Sequence, residues 1–264
     1  MKNILVCVKQ VPDTTEVKLD PKTGTLIRDG VPSIINPDDK AGIEIALQLK
    51  EKTGAKVTVL SMGPMQADVA MREALAMGCD DAVLLSGREF AGSDTWATSS
   101  AIAAAIKNLP YDLIIAGRQA IDGDTAQVGP QIAEHLGIPH ISYVAGVDVE
   151  GDTLIVKRDF EDRYHIIEAK TPLLLTALGE TTEPRYMTVG GIYDAYREKE
   201  VKVWAYEDVK DNVDPANLGL KGSPTRVKKS FTKPVKAAGT LYEDISADEA
   251  VEKIISKLQE KYII

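Results

Sequence analysis

The sequence predicts an α/β protein in which a parallel β-sheet carries helices on both faces. Short apolar runs alternate four times with helical patterns before Pro139, as is typical of parallel strands joined by helices. After Pro139 the apolar residues alternate as they do in antiparallel strands. The end of the chain is polar and rich in turn residues until an amphipathic helix begins near Ser246. We therefore expect a covered parallel sheet, an added antiparallel segment and a C-terminal arm ending in a helix.

The first part of the chain supplies four strands and four helices. The strands are the apolar runs 4–8, 56–60, 82–85 and 113–116. The helices are predicted to begin at the cap Asn36, near Met65, at the cap Asp94 or Thr95, and at Gln131. Pro37 suits the first helical position, where a missing N–H costs nothing. A short hairpin is predicted within residues 17–28, around a turn at 21–24.

The part after Pro139 predicts an antiparallel meander. Strands are expected at residues 144–149, 153–158, 164–168 and, as a further apolar strand, 171–176. Residues 183–196 are expected to be partly helical. These elements complete an α/β domain over residues 1–196.

The last part of the chain predicts an arm. Residues 198–239 have too few regularly spaced apolar residues for a core of their own, as is typical of a functional arm or a linker. Ser246 and Glu249 form a capping box, and one face of the following helix is apolar. Residues 197–264 are therefore predicted to be an extended arm and helix that dock on another surface.

Composition excludes several classes of function. The chain of 264 residues has a formal net charge of −9, which disfavours binding to nucleic acid or to acidic membranes. No apolar run approaches the roughly 20 residues of a membrane-spanning helix, and the run 4–8 is too short for a signal-peptide core. Cys7 and Cys79 are too few for a disulfide framework. We expect a cytoplasmic protein without membrane insertion or a nucleic-acid partner.

Residues 117–130, GRQAIDGDTAQVGP, predict a ligand site. They link an apolar strand to a helix start, where unpaired backbone N–H groups and the helix dipole attract phosphate. The stretch has neither the Walker A pattern nor the spacing of a GxGxxG motif. Three other loops leave predicted parallel strands at the same edge, at residues 7–13, 61–66 and 86–94. The sequence therefore predicts a nucleotide-like cleft lined by four loops.

Several residues in these loops have both a structural and a functional interpretation. Asp122 and Asp124 could form an acid/base pair, but a turn and a helix cap explain them more simply. Asn36 is explained as a helix cap, and the alternative is a contact with a nucleotide. Lys9 is explained as a solvated residue, and the alternative is a contact with a phosphate. Gly63 suits a turn and equally a close approach of a ligand to the backbone.

No catalytic residue and no metal ligand set is predicted. His135, His140 and His165 lack the spacing of metal ligands, and neither a GxSxG motif nor a Cys with a nearby His occurs. Arg118 follows the fourth strand, where it could face the cleft or form a surface ion pair. Any chemistry is therefore expected to come from a bound cofactor.

Taken in order, these motifs resemble the beta (small) subunit of electron transfer flavoproteins over nearly the whole chain. The resemblance rests on VKQVPD at 8–13, INP at 35–37, SMGP at 61–64, ALAMG at 74–78, GRQAID at 117–122 and EPRY at 183–186. It implies a Rossmann-like fold and a heterodimer with an alpha subunit that holds the electron-transferring FAD.

The resemblance also implies a cofactor in this chain. The respiratory type of the family holds a structural AMP, and the electron-bifurcating type holds a second FAD in the same place. The residues implied in binding are Cys7, Asn36, Met62, Gly63, Asp122, Gly123, Asp124, Thr125, Ala126, Gln127 and Val128. The respiratory pattern has an Asn–Gln–Thr run where this chain has Ala126–Gln127–Val128. This chain therefore resembles the bifurcating type, which implies FAD, with AMP as the alternative, and NADH as electron donor.

The resemblance further implies two docking surfaces. A recognition loop at about 185–196 would contact an acyl-CoA dehydrogenase-type partner through Arg185, Tyr186, Val189 and Ile192, with Val189 as the apolar anchor. Gly190 and Gly191 depart from the pattern of a rigid loop. The arm and the final helix would wrap the alpha subunit.

Three functions follow as hypotheses. The first is a bifurcating subunit that also serves ferredoxin or flavodoxin. The second is a respiratory carrier subunit with AMP. The third, from another class, is an adenine-nucleotide-binding regulatory module.

Overall fold

The computed structural model describes residues 1–13, 32–228 and 238–264. The hairpin predicted within residues 17–28 lies outside these ranges. The chain divides into two compact units, Met1–Lys228 and Lys229–Ile264, and each is described by itself.

The described elements follow one another in an alternating order. The strands are β1 (Asn3–Cys7), β2 (Gln10–Pro12), β3 (Ser33–Ile35), β4 (Lys56–Met62), β5 (Asp81–Leu85), β6 (Leu113–Gly117), β7 (His140–Glu150), β8 (Thr153–Asp159), β9 (Tyr164–Ala169), β10 (Leu173–Ala177) and β11 (Val201–Trp204). The helices are α1 (Pro37–Thr53), α2 (Asp68–Met77), α3 (Thr95–Ile106), α4 (Val128–Leu136), α5 (Val189–Arg197), α6 (Gly219–Gly222) and α7 (Ala247–Glu260). Short 3-10 turns lie at Met65–Ala67, Arg88–Phe90, Tyr206–Asp208, Lys210–Asn212 and Pro215–Asn217.

Nine strands form one sheet in the order β11-β5-β4-β1-β6-β10-β7-β8-β9. The pairs from β11 to β7 are parallel, and β7, β8 and β9 form an antiparallel meander. From β1 the chain builds β4 and β5 on one side and then passes to β6 on the other. The boundary between β1 and β6 is therefore the topological switch point, outside whose carboxyl ends ligands bind in such sheets.

Alternate residues of the central strands face opposite helical layers. Ile4 and Val6 of β1 pack in a core with α1 and α2, whereas Leu5 and Cys7 pack in a core with α3 and α4. A parallel sheet buried on both faces requires apolar residues at successive positions, which explains the continuous apolar runs. The predicted fold class is confirmed.

Three short strands differ from the prediction. β2 pairs with β3 in a separate antiparallel ladder, and β11 adds a parallel edge strand next to β5. Each has three or four residues, which is too short for a recognisable period. Helix α4 begins at Val128 rather than at Gln131, because Pro130 is tolerated within the first helical turn.

The boundary predicted after Tyr196 is not where the structure divides. The first compact unit continues through Lys228. Val201 in β11, Val209 and Leu218 are buried in its two cores. These three residues are too far apart in sequence to show a period, so residues 198–228 look like a polar arm. In the structure the three apolar side chains complete the cores of the first unit.

The second unit is described over residues 238–264 and contains α7. Ser246 and Glu249 form the predicted capping box, each side chain bonding the other's backbone N–H. Val251, Ile254 and Ile255 are exposed on this helix. Among the helices of the described residues, none has the length and apolar character that crossing a membrane requires.

Truncating Val209 tests whether the segment after Tyr196 belongs to the domain. Val209 is 0% exposed, so Val209→Ala should lower the free energy of unfolding by about 2 kcal/mol through lost burial and a residual cavity. The measurement is urea unfolding followed by circular dichroism. Val227→Ala is the matched control, because Val227 is 76% exposed and its truncation should change little. Equal effects of the two substitutions would contradict the packing described here.

Candidate functional site

The parallel sheet brings the predicted loops to one edge. β1, β4 and β6 are neighbours, and Cys7, Met62 and Gly117 are their last residues. Cys7 is buried in the core beside α3 and α4, and Met62 packs partly buried against the same core. The loops that leave these three strands therefore surround the switch point.

Two adjacent carboxylates hold the loops at this edge together. Asp38 and Asp39 lie in the first turn of α1, where the helix dipole favours negative charge, and both are buried. Asp39 accepts hydrogen bonds from Lys9 N–H at 2.7 Å and Gly117 N–H at 3.0 Å. Asp38 accepts them from Gln119 N–H at 3.3 Å and Gly179 N–H at 2.9 Å. One helical turn thus joins the ends of β1, β6 and β10.

The glycines at two of these strand ends leave room for the carboxylates. A Cβ on Gly117 would overlap Asp39 and approach Asp38 Cβ to 2.8 Å. A Cβ on Gly179 would lie 2.6 Å from Asp38 Oδ1. Glycine is therefore required at both positions by close packing rather than by a left-handed backbone.

Burial raises the pKa of Asp39 to about 7, although the hydrogen bonds from the backbone N–H groups of Lys9 and Gly117 act in the opposite direction. An unfolded Asp titrates near pH 4, so the native state holds this proton to higher pH than the unfolded chain does. The contribution of Asp39 to stability therefore falls as the pH rises from about 4 to about 7.

Asn36 occupies the predicted cap position, but its side chain does not bond the first turn of α1. Its Nδ2 donates to Gln119 O at 2.8 Å, and its Oδ1 accepts from Ile121 N–H at 3.1 Å. Asn36 is fully buried, and these bonds satisfy both ends of its amide. Its described role is to position the loop after β6, which corrects the interpretation as a helix cap.

The two aspartates of that loop have separate partners. Asp122 forms an ion pair with Lys9 Nζ at 2.6 Å, and Asp124 accepts from Gln119 Nε2 at 2.8 Å. Neither caps α4, whose N-cap residue is Gln127. The interpretation of Asp122 and Asp124 as turn and cap is therefore wrong in its second half, and Lys9 is not a merely solvated residue.

The end of the loop presents unpaired backbone donors. Within the described residues, no protein acceptor bonds the N–H groups of Thr125, Ala126, Gln127 and Val128. Asp124 and Ala126 both have φ of 52°, an uncommon conformation for residues other than glycine. Gln127 is held to the start of α3 by a bond from Thr95 Oγ1 at 2.9 Å. A strained loop whose N–H groups have no described protein acceptor, at a helix N-terminus, suits an anionic ligand.

The remaining predicted positions are Gly63, Gly123 and Arg118, which differ in how closely other residues surround them. A Cβ on Gly63 would meet Ala67 Cβ at an ordinary 3.4 Å, and a Cβ on Gly123 would meet nothing within 4 Å. Arg118 Nε lies 3.3 Å from Asp38 Oδ2, so Arg118 is part of an ion pair whose partner is a buried residue at the strand ends and not a surface carboxylate.

The predicted recognition loop is largely helical. Tyr186, Val189 and Ile192 are 90%, 87% and 40% exposed. Arg185 instead bonds Glu44 and Glu51 of α1. Residues 190–191 lie in the first turn of α5, where Thr188 caps Gly191 N–H, so the glycines do not loosen this segment.

Sequence reasoning missed the residues that organise this edge. Gln119 lies inside the GRQAID motif without an assigned role. Asp38 and Asp39 directly follow the INP motif, and Glu44 and Gly179 lie outside all the motifs. The two consecutive acids directly after Pro37 could have indicated this role. A helix that packs on a covered sheet turns part of its first turn inward, so at least one of the two carboxylates was expected to be buried and to need hydrogen-bond donors.

The fold and this edge define an α/β protein whose strand-end loops offer backbone groups to a ligand. A family model described as Electron transfer flavoprotein domain matches residues 23–209. The chain is 61% identical over 262 residues to the electron transfer flavoprotein subunit beta of Clostridium acetobutylicum, across 99% of this chain and 100% of that protein.

Two further relatives extend this finding. The caffeyl-CoA reductase-Etf complex subunit CarD of Acetobacterium woodii is 53% identical over 263 residues, and 99% of each chain is covered. The acryloyl-CoA reductase electron transfer subunit gamma of Anaerotignum propionicum is 51% identical over 268 residues, also with 99% of each covered. The chain belongs to the electron transfer flavoprotein family, as a beta subunit, and the predicted resemblance is confirmed.

Adding one methyl group at Gly117 tests the role of the aspartate pair. Gly117→Ala should lower the free energy of unfolding by about 1–3 kcal/mol, because the Cβ displaces Asp39 or Asp38. Gly123→Ala, in the same loop but in open space, should change stability by less than about 0.5 kcal/mol. Chemical denaturation of both variants provides the comparison, and similar stabilities would refute the packing of the carboxylates on Gly117.

The two cysteines should be unreactive in the folded protein. Burial raises the pKa of each thiol to about 12, so almost no thiolate exists at pH 8. Iodoacetamide at pH 8, followed by mass spectrometry, should modify neither Cys7 nor Cys79 until denaturant is added. Rapid labelling of Cys7 in the native protein would show that the end of β1 is more open than described.

Proposed function

We propose that this chain holds a second FAD at the strand-end edge, receives a hydride there from NADH and sends the two electrons to different acceptors. One electron goes to ferredoxin or flavodoxin. The other goes through the FAD of the alpha subunit to an acyl-CoA dehydrogenase-type partner. The observation that carries this proposal is that the N–H groups from Thr125 to Val128 have no acceptor in the part of the chain that the structure describes.

The residues at this edge fit an adenine dinucleotide. The donors of residues 125–128, at the positive end of α4, suit a pyrophosphate. The pair Lys9–Asp122 and the amide of Asn36 fix the loop, so its donors need not be ordered when the ligand binds. Gly63 is not required by the packing of the chain itself, which supports a close approach of the ligand at that turn.

The chain's own contribution is binding and orientation. When bound, FAD supplies the capacity to accept two electrons at once and to release them singly. Asp38 and Asp39 hold the three strand ends in register around the ligand, and the cores beside Cys7 and Met62 exclude water from one side of the site. No side-chain general acid or base is required of this chain.

One observation favours FAD over AMP, and the names of two relatives favour the proposed partner. The side chains of Ala126 and Val128 are small and lack hydrogen-bonding groups, so the loop contributes mainly its backbone and leaves space for a ligand longer than AMP. The relatives from Acetobacterium woodii and Anaerotignum propionicum are named as subunits that serve CoA-ester reductases, which supports a partner of the same class here.

The exposed face of α7 and the two free cysteines support the proposed partner subunit and the proposed location. The alpha subunit is the proposed partner of the second unit, whose helix α7 exposes its apolar face. Cys7 and Cys79 are free, which supports the reducing environment of the cytoplasm.

The cofactor content of the purified heterodimer tests the proposal. Acid extraction and chromatography should give two FAD per heterodimer, and NADH should bleach the flavin absorbance. One FAD and one AMP would replace the proposal with the respiratory type. A chain that purifies with a nucleotide but without an alpha subunit or flavin would instead be a regulatory module.

A double substitution in the loop tests which residues select the ligand. Ala126→Asn together with Val128→Thr introduces bulk and hydrogen-bonding groups, and Asn tolerates the positive φ of position 126. We expect FAD to fall from two towards one per heterodimer and AMP to appear in its place.

Ala126→Gly is the matched control for this experiment. Glycine keeps the loop small and adopts a φ of 52° without strain, so the FAD content should stay at two. Equal FAD content in the double variant and in the control would show that residues 126 and 128 do not select the ligand.

A further inference from the structure

The exposed face of α5 and the residues before it form a compact patch. We call residues 185–197 the docking segment. Tyr186, Val189 and Tyr193 are 90%, 87% and 60% exposed, and Met187 and Tyr196 are also exposed. Large apolar and aromatic side chains at such exposure are typical of a surface that another protein covers.

Arg185 differs from these residues because its donors are turned towards α1. Its Nε and Nη2 bond the two carboxylate oxygens of Glu44 at 2.8 and 2.9 Å, and its own backbone N–H bonds Glu44 at 3.0 Å. Its Nη1 bonds Glu51 at 2.6 Å. These bonds use three of the five N–H donors of the guanidinium and bring each of its nitrogens to a carboxylate of α1.

Glu44 requires this partner. It is 5% exposed, and burial alone would raise its pKa. The hydrogen bonds from Arg185, together with one from Gln48, nevertheless hold the pKa of Glu44 below its usual value. A buried carboxylate with a bidentate guanidinium is a directional contact, and it fixes the point at which the docking segment leaves the domain.

The rest of the docking segment is held against α2. A Cβ on Gly191 would overlap Ala76 O, so the two helices approach closely at this point. Arg72 of α2 donates to Ala195 O and lies 5.2 Å from the ring centroid of Tyr196. The docking segment is therefore held before α5 at Arg185, in the first turn of α5 at Gly191 and near the end of α5 at Ala195 and Tyr196.

We propose that Arg185 is a positioning residue for partner docking rather than a contact of the partner. Through Glu44 it holds the docking segment in the orientation that the partner binds, so that association does not have to order this segment. The inference rests on the proposed function for the class of partner, an acyl-CoA dehydrogenase, and on the docking of that partner at residues 185–197.

Substitutions in the heterodimer test this role. The partner is the acyl-CoA dehydrogenase purified from the organism that supplies the heterodimer, and affinity is measured by titration calorimetry. Arg185→Gln and Glu44→Gln should each weaken binding by about ten-fold, and the double variant should be no weaker than either single variant. Hydrogen exchange at residues 186–192 should accelerate in all three variants without partner present.

Three further variants complete the design. Arg185→Lys keeps the charge on Glu44 but loses the bidentate contact, so its loss of affinity should lie between those of wild type and Arg185→Gln. Glu51→Gln removes a contact to a side chain that is 61% exposed, and it should leave affinity and exchange close to wild type. FAD content should stay unchanged throughout.

The outcomes separate the inference from the function on which it depends. If Arg185→Gln weakens binding while Glu44→Gln does not, Arg185 contacts the partner directly and the inference is overturned. Unchanged hydrogen exchange in the Arg185 variants would overturn it as well. Val189→Asp tests the docking face itself, and an unchanged affinity in that variant would overturn docking by α5, whatever the exchange data show.

Discussion

The contact on which the rest of the site depends is the pair of buried carboxylates in the first turn of α1. Asp38 and Asp39 accept backbone N–H groups from the ends of β1, β6 and β10, three strands that are far apart in sequence. The helix dipole and these donors make two adjacent buried acids tolerable, and Gly117 and Gly179 leave the space they occupy. This pair therefore fixes the strand ends at the switch point relative to one another, and the Asn36 amide and the Lys9–Asp122 ion pair hold the loop after β6 on that framework.

A fixed edge explains why the loop after β6 can hold strained residues. Asp124 and Ala126 adopt positive φ, a conformation that persists only where surrounding contacts determine it. Those contacts are the Asn36 amide, the Lys9–Asp122 pair and the bond between Thr95 and Gln127. The result is a row of backbone donors that is in place before any ligand arrives. Backbone recognition of this kind depends on main-chain geometry more than on the side chains of residues 125–128, so one framework suits ligands that share a phosphate group.

The sequence predicted the alternating elements and the edge at which they converge, because the period of apolar residues and the turn residues report directly on local structure. It did not predict how the loops are joined. Asn36 was assigned from its local role as a cap, but a buried amide bonds whatever the tertiary fold brings near, here Gln119 and Ile121. The burial of residues after Tyr196 was not predicted for a related reason. Val209 and Leu218 are single apolar residues in polar surroundings, and their burial depends on a core formed by distant elements.

Helix α1 connects the two surfaces that the chain presents. Its first turn holds the strand-end edge through Asp38 and Asp39, and about one and a half turns later Glu44 holds the docking segment through Arg185. Lys40, between them, pairs with Glu73 of α2, the helix against which α5 packs. A change at the ligand edge that shifts α1 along its axis would therefore act on Glu44 as well, since a helix is stiff over this length. The same rigidity keeps the docking face at a constant position relative to the strand-end site, which an electron carrier requires because transfer between bound groups depends on their separation.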